Sequence, residues 1–258
     1  MDLQHFRIEV GDDRVALVTF DRAPVNAQDT RVREETTWVF DTLSDRDDVG
    51  AVILTGAGKL FSAGADLKER IGLVREPGDY RRHNRLTREG FYAITECAKP
   101  VVAAINGGAL GAGCAMALAC DILVAGEDAY LAMPEIDVGL AGGARFLQRY
   151  FPRSTLRAMY LTGARVPAAE LLRLNVVHRV VPRAALLDEA RTIARTIAAK
   201  SPVAVRLAKE TMNSLEGMSV RDGYRFEQDV TVRLSFTEDA REAQRAFIEK
   251  RTPAFKGR

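Results

Sequence analysis

Two glycine-rich bends carry the clearest opportunity for chemistry in this 258-residue chain: "TGAGKLFSAGADL", residues 55–67, after "AVIL", and "NGGALGAGC", residues 106–114, after "VVAAI". A bend that ends at a helix N-terminus turns unpaired backbone N–H groups outward, where the helix dipole also favours negative charge. Two such bends facing each other make an oxyanion hole. A single bend of this kind reads more simply as a tight turn or a close packing contact that only glycine permits. Recurrence of the same pattern after two strands favours the chemical reading. Nucleotide binding is weaker, because "GAG" at 111–113 lacks the third glycine of a dinucleotide fingerprint. "GAGK" at 56–59 likewise lacks the upstream glycine and following Ser/Thr of a phosphate loop.

Side-chain nucleophiles fare worse. Cys114 sits in the second bend, yet no histidine is near it in sequence, and small buried cysteines are commoner than reactive ones. His5, His83 and His178 form no metal or triad pattern, so all three read as structural and no metal site is expected. A carboxylate after proline, Glu135 in "MPEIDVG", reads on its own as a surface or capping group. Asp137 lies two residues on and would share its face in an extended chain, although a loop turns either one away.

Elements that hold the bends in place can be traced along the chain. "HFRIEV" and "RVALVTF" alternate apolar residues on either side of "GDD", which predicts a hairpin. After "RAPVNAQ", Thr30 is expected to cap a helix running through Trp38, Val39 and Leu43. "GAVILTG", "PVVAAIN", "DILVAG" and "AYLAMPE" read as further strands, the first two covered on both faces. Between Asp66 and Cys97 the chain is charged and is expected to form helices around a mobile surface segment. From about Ser201 the character changes to amphipathic helices capped at Ser201, Ser219 and Thr237. The expected organisation is therefore one α/β core over 1–200 and a helical region over 201–258.

Composition narrows the function classes. Lys and Arg total 37 against 35 Asp and Glu, with the basic residues scattered, which disfavours nucleic acid and anionic membrane as partners. The three cysteines (97, 114 and 120) have no redox or metal spacing. No basic-then-apolar leader precedes "HFRIEV" and no apolar run approaches a membrane span, so a soluble cytoplasmic protein is expected.

Taken together, "AVILTGAGKLFSAGADLKE", "KPVVAAINGGALGAGCAMALACDILVAGEDA", "MPEIDVGL", "LTGARVPAAELLRLNVVHRVVP" and "AFIEKRTPAFKGR" resemble the enoyl-CoA hydratase/isomerase (crotonase) superfamily over nearly the whole chain, in the same order. The resemblance implies a spiral of repeated β-β-α units with C-terminal helices that form trimers or dimers of trimers. It also implies an acyl-CoA thioester as substrate, with coenzyme A part of that substrate and no separate cofactor. Carried over by motif, the thioester oxygen is held by the backbone N–H groups of Ala65 and Ala112, with Ala63 and Gly111 beside them. The second donor position is usually Gly, but alanine keeps the N–H.

The same resemblance assigns Glu135 the acid/base role. A second glutamate of the hydratases would stand at position 115, where this chain has Ala115. One carboxylate suffices to move a proton between two carbons of an enolate, whereas adding water is more demanding. Isomerase or hydratase-like activity with a single glutamate is therefore expected. A CoA-ester hydrolase, decarboxylase or lyase, or a non-catalytic CoA-ester binding protein, remains as the alternative. After "PEIDVG" the chain reads "LAGGARFLQRYF" where many members have a glycine-rich loop. Arg145 there either starts a helix toward solvent or reaches the acyl pocket to pair with a carboxylate on the acyl group. By resemblance, Asp66, Leu67, Lys68, Phe247, Lys250, Phe255 and Lys256 fall where the family surrounds coenzyme A, and cationic residues suit its phosphates.

Overall fold

A computed structural model describes all 258 residues. The chain opens with the expected hairpin: β1 (Phe6–Val10) runs antiparallel to β2 (Val15–Phe20), with Phe6 opposite Phe20 and Val10 opposite Ala16. A two-residue β3 (Ala27–Gln28) precedes α1 (Thr30–Asp45). The cap of α1 is Asp29, whose carboxylate accepts the Val32 N–H at 2.9 Å; Thr30 is the first helical residue. A carboxylate at this position satisfies one of the free amides that open any helix, which is why Asp wins over its neighbour.

The core then repeats one unit, a long strand, a short strand and a helix. The first turn is β4 (Ala51–Gly56), β5 (Gly64–Ala65), α2 (Leu67–Ile71) and α3 (Asp79–Glu96). The second is β6 (Val101–Ile105), β7 (Gly108–Leu110) and α4 (Ala112–Leu118). The third is β8 (Ile122–Gly126) and β9 (Tyr130–Ala132), followed by a 3-10 turn over Pro134–Val138, α5 (Ala144–Leu147) and α6 (Arg153–Thr162). It ends in β10 (Val166–Pro167), α7 (Ala168–Arg173) and β11 (Arg179–Val181). His178 is exposed and stands just before that last strand.

Long strands stack in the order β1-β2-β4-β6-β8-β11, all parallel after the hairpin, while the short strands form separate sheets, β10-β9-β7 and β3-β5. Each unit thus lies beside the one before it, and the result is a crotonase-type spiral. Side chains of β4 explain why its sequence is apolar throughout. Val52 and Leu54 face the main core with α1, α3 and α4, and Ala51 and Ile53 face the other way. That second face is covered by α8 (Leu186–Ala198), which presents Leu186, Ala190, Ala194 and Ala198 at a spacing of four.

The chain ends in α9 (Pro202–Leu215), α10 (Val220–Ser235) and α11 (Glu238–Glu249). Their caps are Ser201, Ser219 and Thr237, each accepting an amide two or three residues into its helix. No helix is long and apolar enough to cross a membrane.

Helix α9 is tied to the core by Lys209, only 3% exposed, whose Nζ donates to Asp121 Oδ2 at 2.7 Å and to the carbonyls of Ile94 and Lys99. Asp121 also accepts the Val101 N–H at 2.7 Å, so one ion pair links the extension to β6 and the end of α4. Removing Lys209 loses the hydrogen bonds of a buried cation and leaves Asp121 where water reaches it. Lys209→Ala is expected to lower the unfolding free energy by about 1–3 kcal/mol, read as the shift of a urea unfolding curve. A shift within experimental error would show that the tie contributes nothing.

Candidate active site

The first bend is held from below by three buried polar side chains. Asn26 Nδ2 donates to the carbonyls of Ala57 (2.9 Å) and Leu60 (3.0 Å), and Ser62 Oγ donates to Asn26 O at 2.7 Å. Gln28 Nε2 reaches Ser62 Oγ at 3.3 Å. Loop "RAPVNAQ" therefore anchors the bend through Asn26 and Gln28, both buried. Asp66 N–H donates to Gln28 O at 2.9 Å. Amides alternate along a strand, so the Ala65 N–H one residue earlier faces away from β3.

Gly64 brings the two bends together. Its φ is +87°, and a Cβ added there would stand 2.5 Å from Leu110 O and 3.2 Å from the Ala112 nitrogen. No other residue allows that approach. Ala112 is the first residue of α4, and its N–H has no acceptor in an earlier turn. Gly111 precedes it at φ 54° and ψ −120° and has no side chain with which to cap the helix.

Glu135 lies against the same bend. A Cβ on Gly111 would meet Glu135 Oε1 at 2.4 Å and Oε2 at 3.6 Å, so the carboxyl, Oε1 foremost, occupies the space that a side chain at 111 would need. Pro134 starts the 3-10 turn that aims it there. Burial pushes the Glu135 carboxyl above its ordinary range, and only the residue's own backbone and the positive charge of Arg70 pull the other way. Its Oε2 is buried and makes no hydrogen bond. Gly111→Ala is expected to displace this carboxyl while leaving it in the protein, because the added methyl group takes its place and the carboxyl is the movable partner. The expected outcome is a fall in kcat of about 10-fold or more with a modest loss of stability, given the strain of about 1–3 kcal/mol at that φ. Unaltered kcat would show that the carboxyl position is irrelevant.

Ala65, Gly111, Ala112, Ala115 and Glu135 all line one cavity of about 350 Å³. That volume is at the small end for a ligand pocket. Ala115, itself buried, faces the cavity from α4, and Glu135 is the one carboxylate in the wall. Most of the rest of the wall comes from α3 and the segment around α5, with Arg33 from α1 and Arg70 from α2. Phe91 and Phe146 meet edge to face at 5.5 Å, with Met133 beside them. Arg33, Arg70, Tyr80, His83, Asn84, Thr87 and Arg88 add a polar side.

Several expected positions lie elsewhere. Asp137 is on the 3-10 turn, where two residues correspond to about two-thirds of a turn. Its carboxylate therefore packs on Gly163 at the end of α6 instead of sharing the face of Glu135. Arg145 is exposed on the outer side of α5, and its neighbour Phe146 lines the cavity in its place. Ala63 is outside the cavity, its N–H donating to Val25 O at 2.9 Å. Asp66 caps α2 and pairs with Arg22 at 2.8 Å, and Leu67 and Lys68 are exposed beyond it. Phe247 and Lys250 are exposed on α11 and its cap. Phe255 and Lys256 follow in a tail that the buried Asp239 pins by accepting the Lys256 N–H at 2.7 Å. None of these lines the cavity of this chain. Cys114 is fully buried beside the bend with its thiol pushed well above the ordinary range by burial and by Glu135, which suits packing and not nucleophilic attack.

The polar side of the cavity is what sequence reasoning missed. Tyr80, His83, Asn84, Thr87 and Phe91 recur at helical spacing along α3, in a stretch whose charges read as plain surface. His83, read as structural, is 8% exposed and borders the cavity.

Residues 11–258 match the family model described as "Enoyl-CoA hydratase/isomerase". A probable enoyl-CoA hydratase of Mycobacterium tuberculosis is 38% identical over 251 residues, covering 95% of this chain and 95% of the relative. A carnitinyl-CoA dehydratase of Citrobacter koseri is 36% identical over 252 residues, covering 93% and 94%. Among solved structures, an enoyl-CoA hydratase from Bacillus anthracis superposes with a TM-score of 0.93 at 33% identity, covering 99% of this chain and all of that one.

Proposed function

The chain belongs to the enoyl-CoA hydratase/isomerase family, and from that premise we propose that it is an acyl-CoA enzyme which holds a thioester enolate between two backbone amides and moves protons with one glutamate. The observation that carries this reading is that Glu135 is the sole carboxylate in a cavity whose wall also includes Ala65 and Ala112. Coenzyme A enters as part of the substrate, and no separate cofactor is proposed.

The step this arrangement performs most simply is double-bond migration. Glu135, ionised, takes a proton from the carbon next to the thioester of a 3-enoyl-CoA. The electron pair moves into the carbonyl, and the developing oxyanion is held by the Ala65 and Ala112 N–H groups. The protonated Glu135 then returns the proton at the far carbon of the allyl system, which yields the 2-enoyl thioester and restores the carboxylate. Hydration needs a water placed, deprotonated and its proton redelivered. With alanine at 115, Glu135 alone would have to manage both protons, so hydration is expected to be the slower reaction.

Incubation with paired 2-enoyl and 3-enoyl thioesters in heavy water tests this. Bond migration is the expected result, with any deuterium taken from solvent at the far carbon of the 2-enoyl product formed from the 3-enoyl ester, and at the carbon next to the thioester only in the reverse direction. Net oxygen addition as the faster reaction would restore the hydratase reading, and neither would remove the mechanism.

A pH profile adds a second check. Migration begins from ionised Glu135, and its carboxyl is held above the ordinary glutamate range. Activity is therefore expected to fall on acidification through a midpoint above that ordinary value, as seen in kcat/KM. A midpoint at or below the ordinary value would contradict the burial argument.

We also propose a homotrimer or a dimer of trimers. Support comes from the apolar side chains that the C-terminal helices leave uncovered in one chain, among them Val220 (92% exposed), Phe236, Phe247 and Ile248.

A further inference from the structure

Four buried side-chain polar atoms in the chain have no hydrogen-bond partner, and three of them border the same cavity: Glu135 Oε2, Arg33 Nε and His83 Nδ1. Glu135 is accounted for by the reaction. The other two are not. Arg33 is 3% exposed; its two terminal nitrogens are engaged by Glu69 (3.2 Å) and Gln28 O (2.8 Å), which leaves Nε as an unused donor. His83 is 8% exposed and stands with its ring 6.0 Å from that of Tyr80. A buried polar group without a partner costs stability, which a bound ligand group would recover.

Apart from Glu135, every charged side chain in the wall other than the titratable ring of His83 is an arginine. Arg70 lines the cavity, stacks on Tyr80 at 5.3 Å, donates to its hydroxyl, and pairs with no carboxylate. Glu69 answers Arg33 but does not line the cavity, and burial raises the affinity of the Glu135 carboxyl for protons. His83 is driven down to about 4, first by burial and then by Arg33 and Arg70, so near neutral pH it is an uncharged imidazole facing two guanidinium groups. A plain hydrocarbon chain would leave all three groups unanswered.

Resting on the reading that this cavity holds the acyl part of a thioester, we propose that the substrate's acyl group carries a second, anionic oxygen group, a carboxylate, seated against Arg33, His83 and Arg70. The aromatic and aliphatic side formed by Phe91, Phe146 and Met133 packs the carbon chain between the two ends. Tyr80 orients Arg70 and is a positioning residue.

Binding of saturated thioesters tests this without requiring turnover. Matched pairs are butanoyl- and succinyl-CoA, pentanoyl- and glutaryl-CoA, and hexanoyl- and adipoyl-CoA, titrated calorimetrically against the full-length protein. For the pair that fits the cavity, the carboxylate ester is expected to bind about tenfold or more tightly than its neutral partner. In Arg70→Met and in His83→Phe that ratio is expected to fall toward unity, and in the parent protein the His83 ring should titrate at higher pH when the carboxylate ester is bound. Equal or weaker binding of every carboxylate ester overturns the inference and leaves the proposed reaction standing. Equal loss of both esters in the variants also overturns it, because the wall would then serve coenzyme A or the fold alone. Failure of every ester to bind would remove the acyl-CoA reading beneath it as well.

Discussion

Glu135→Gln is expected to lower kcat for double-bond migration by about 10²- to 10⁴-fold, the range over which a positioned acid/base group acts. Glutamine keeps the shape that packs on Gly111 and fills the same part of the cavity, but it can neither take nor return a proton. The fold should not suffer. A carboxyl whose folded-state affinity for protons is raised is destabilising when ionised, so at neutral pH the amide is expected to leave the melting temperature unchanged or slightly higher. The two measurements separate the roles: lost turnover with an intact melting curve assigns chemistry to Glu135. Turnover within about twofold of the parent would leave the cavity without its acid/base group.

Ala112→Pro should have the second largest effect, a fall in kcat of about 10²- to 10³-fold, as when one donor of an oxyanion site is deleted. Proline at the first residue of a helix is well tolerated, because the N–H it lacks is one the helix does not use. The preceding residue is usually the obstacle to such a change, but here it is Gly111, whose ψ of −120° lies far from the helical region that proline disfavours. The substitution therefore removes the amide while leaving α4 its hydrogen bonds. Ala112→Gly, which retains the N–H, is the control and is expected to lose far less. Equal losses in the two variants would mean that packing at this corner, and not the amide, matters.

Much of the architecture was legible because burial writes itself into local pattern. β1 alternates because one of its faces is covered, whereas β2 is covered on both, and "AVIL" and "VVAAI" are apolar throughout because α1, α3 and α4 cover one face and α8 the other. The caps at Ser201, Ser219 and Thr237 follow from local hydrogen bonding alone, and each is used. Thr30 misled because Asp29 beside it competes for the same amides and accepts more strongly.

Long-range placement was less legible. That Glu135 touches Gly111 depends on β7 and β9 lying side by side in parallel, with Leu110 opposite Ala132, a pairing that no short window reveals. Asp137 shares the face of Glu135 only in an extended chain, and one 3-10 turn sends the two carboxylates apart. Arg33 belongs to α1 and His83 to α3, fifty residues apart by their numbers, and they meet because those helices pack against each other on the sheet. In sequence each looks like an ordinary helix residue. Arg145 reads in sequence either as a solvent-facing helix start or as an anion contact, and α5 directs it to solvent.

The central claim is that the Ala65 and Ala112 amides act together on one thioester carbonyl. Infrared difference spectroscopy of a bound acyl-CoA carrying carbon-13 at that carbonyl tests it most directly. A stretch that moves to lower frequency on binding, and moves less in Ala112→Pro than in Ala112→Gly, is the predicted result. A carbonyl frequency in the parent protein equal to that of the free thioester in water, with ligand demonstrably bound, would contradict the account.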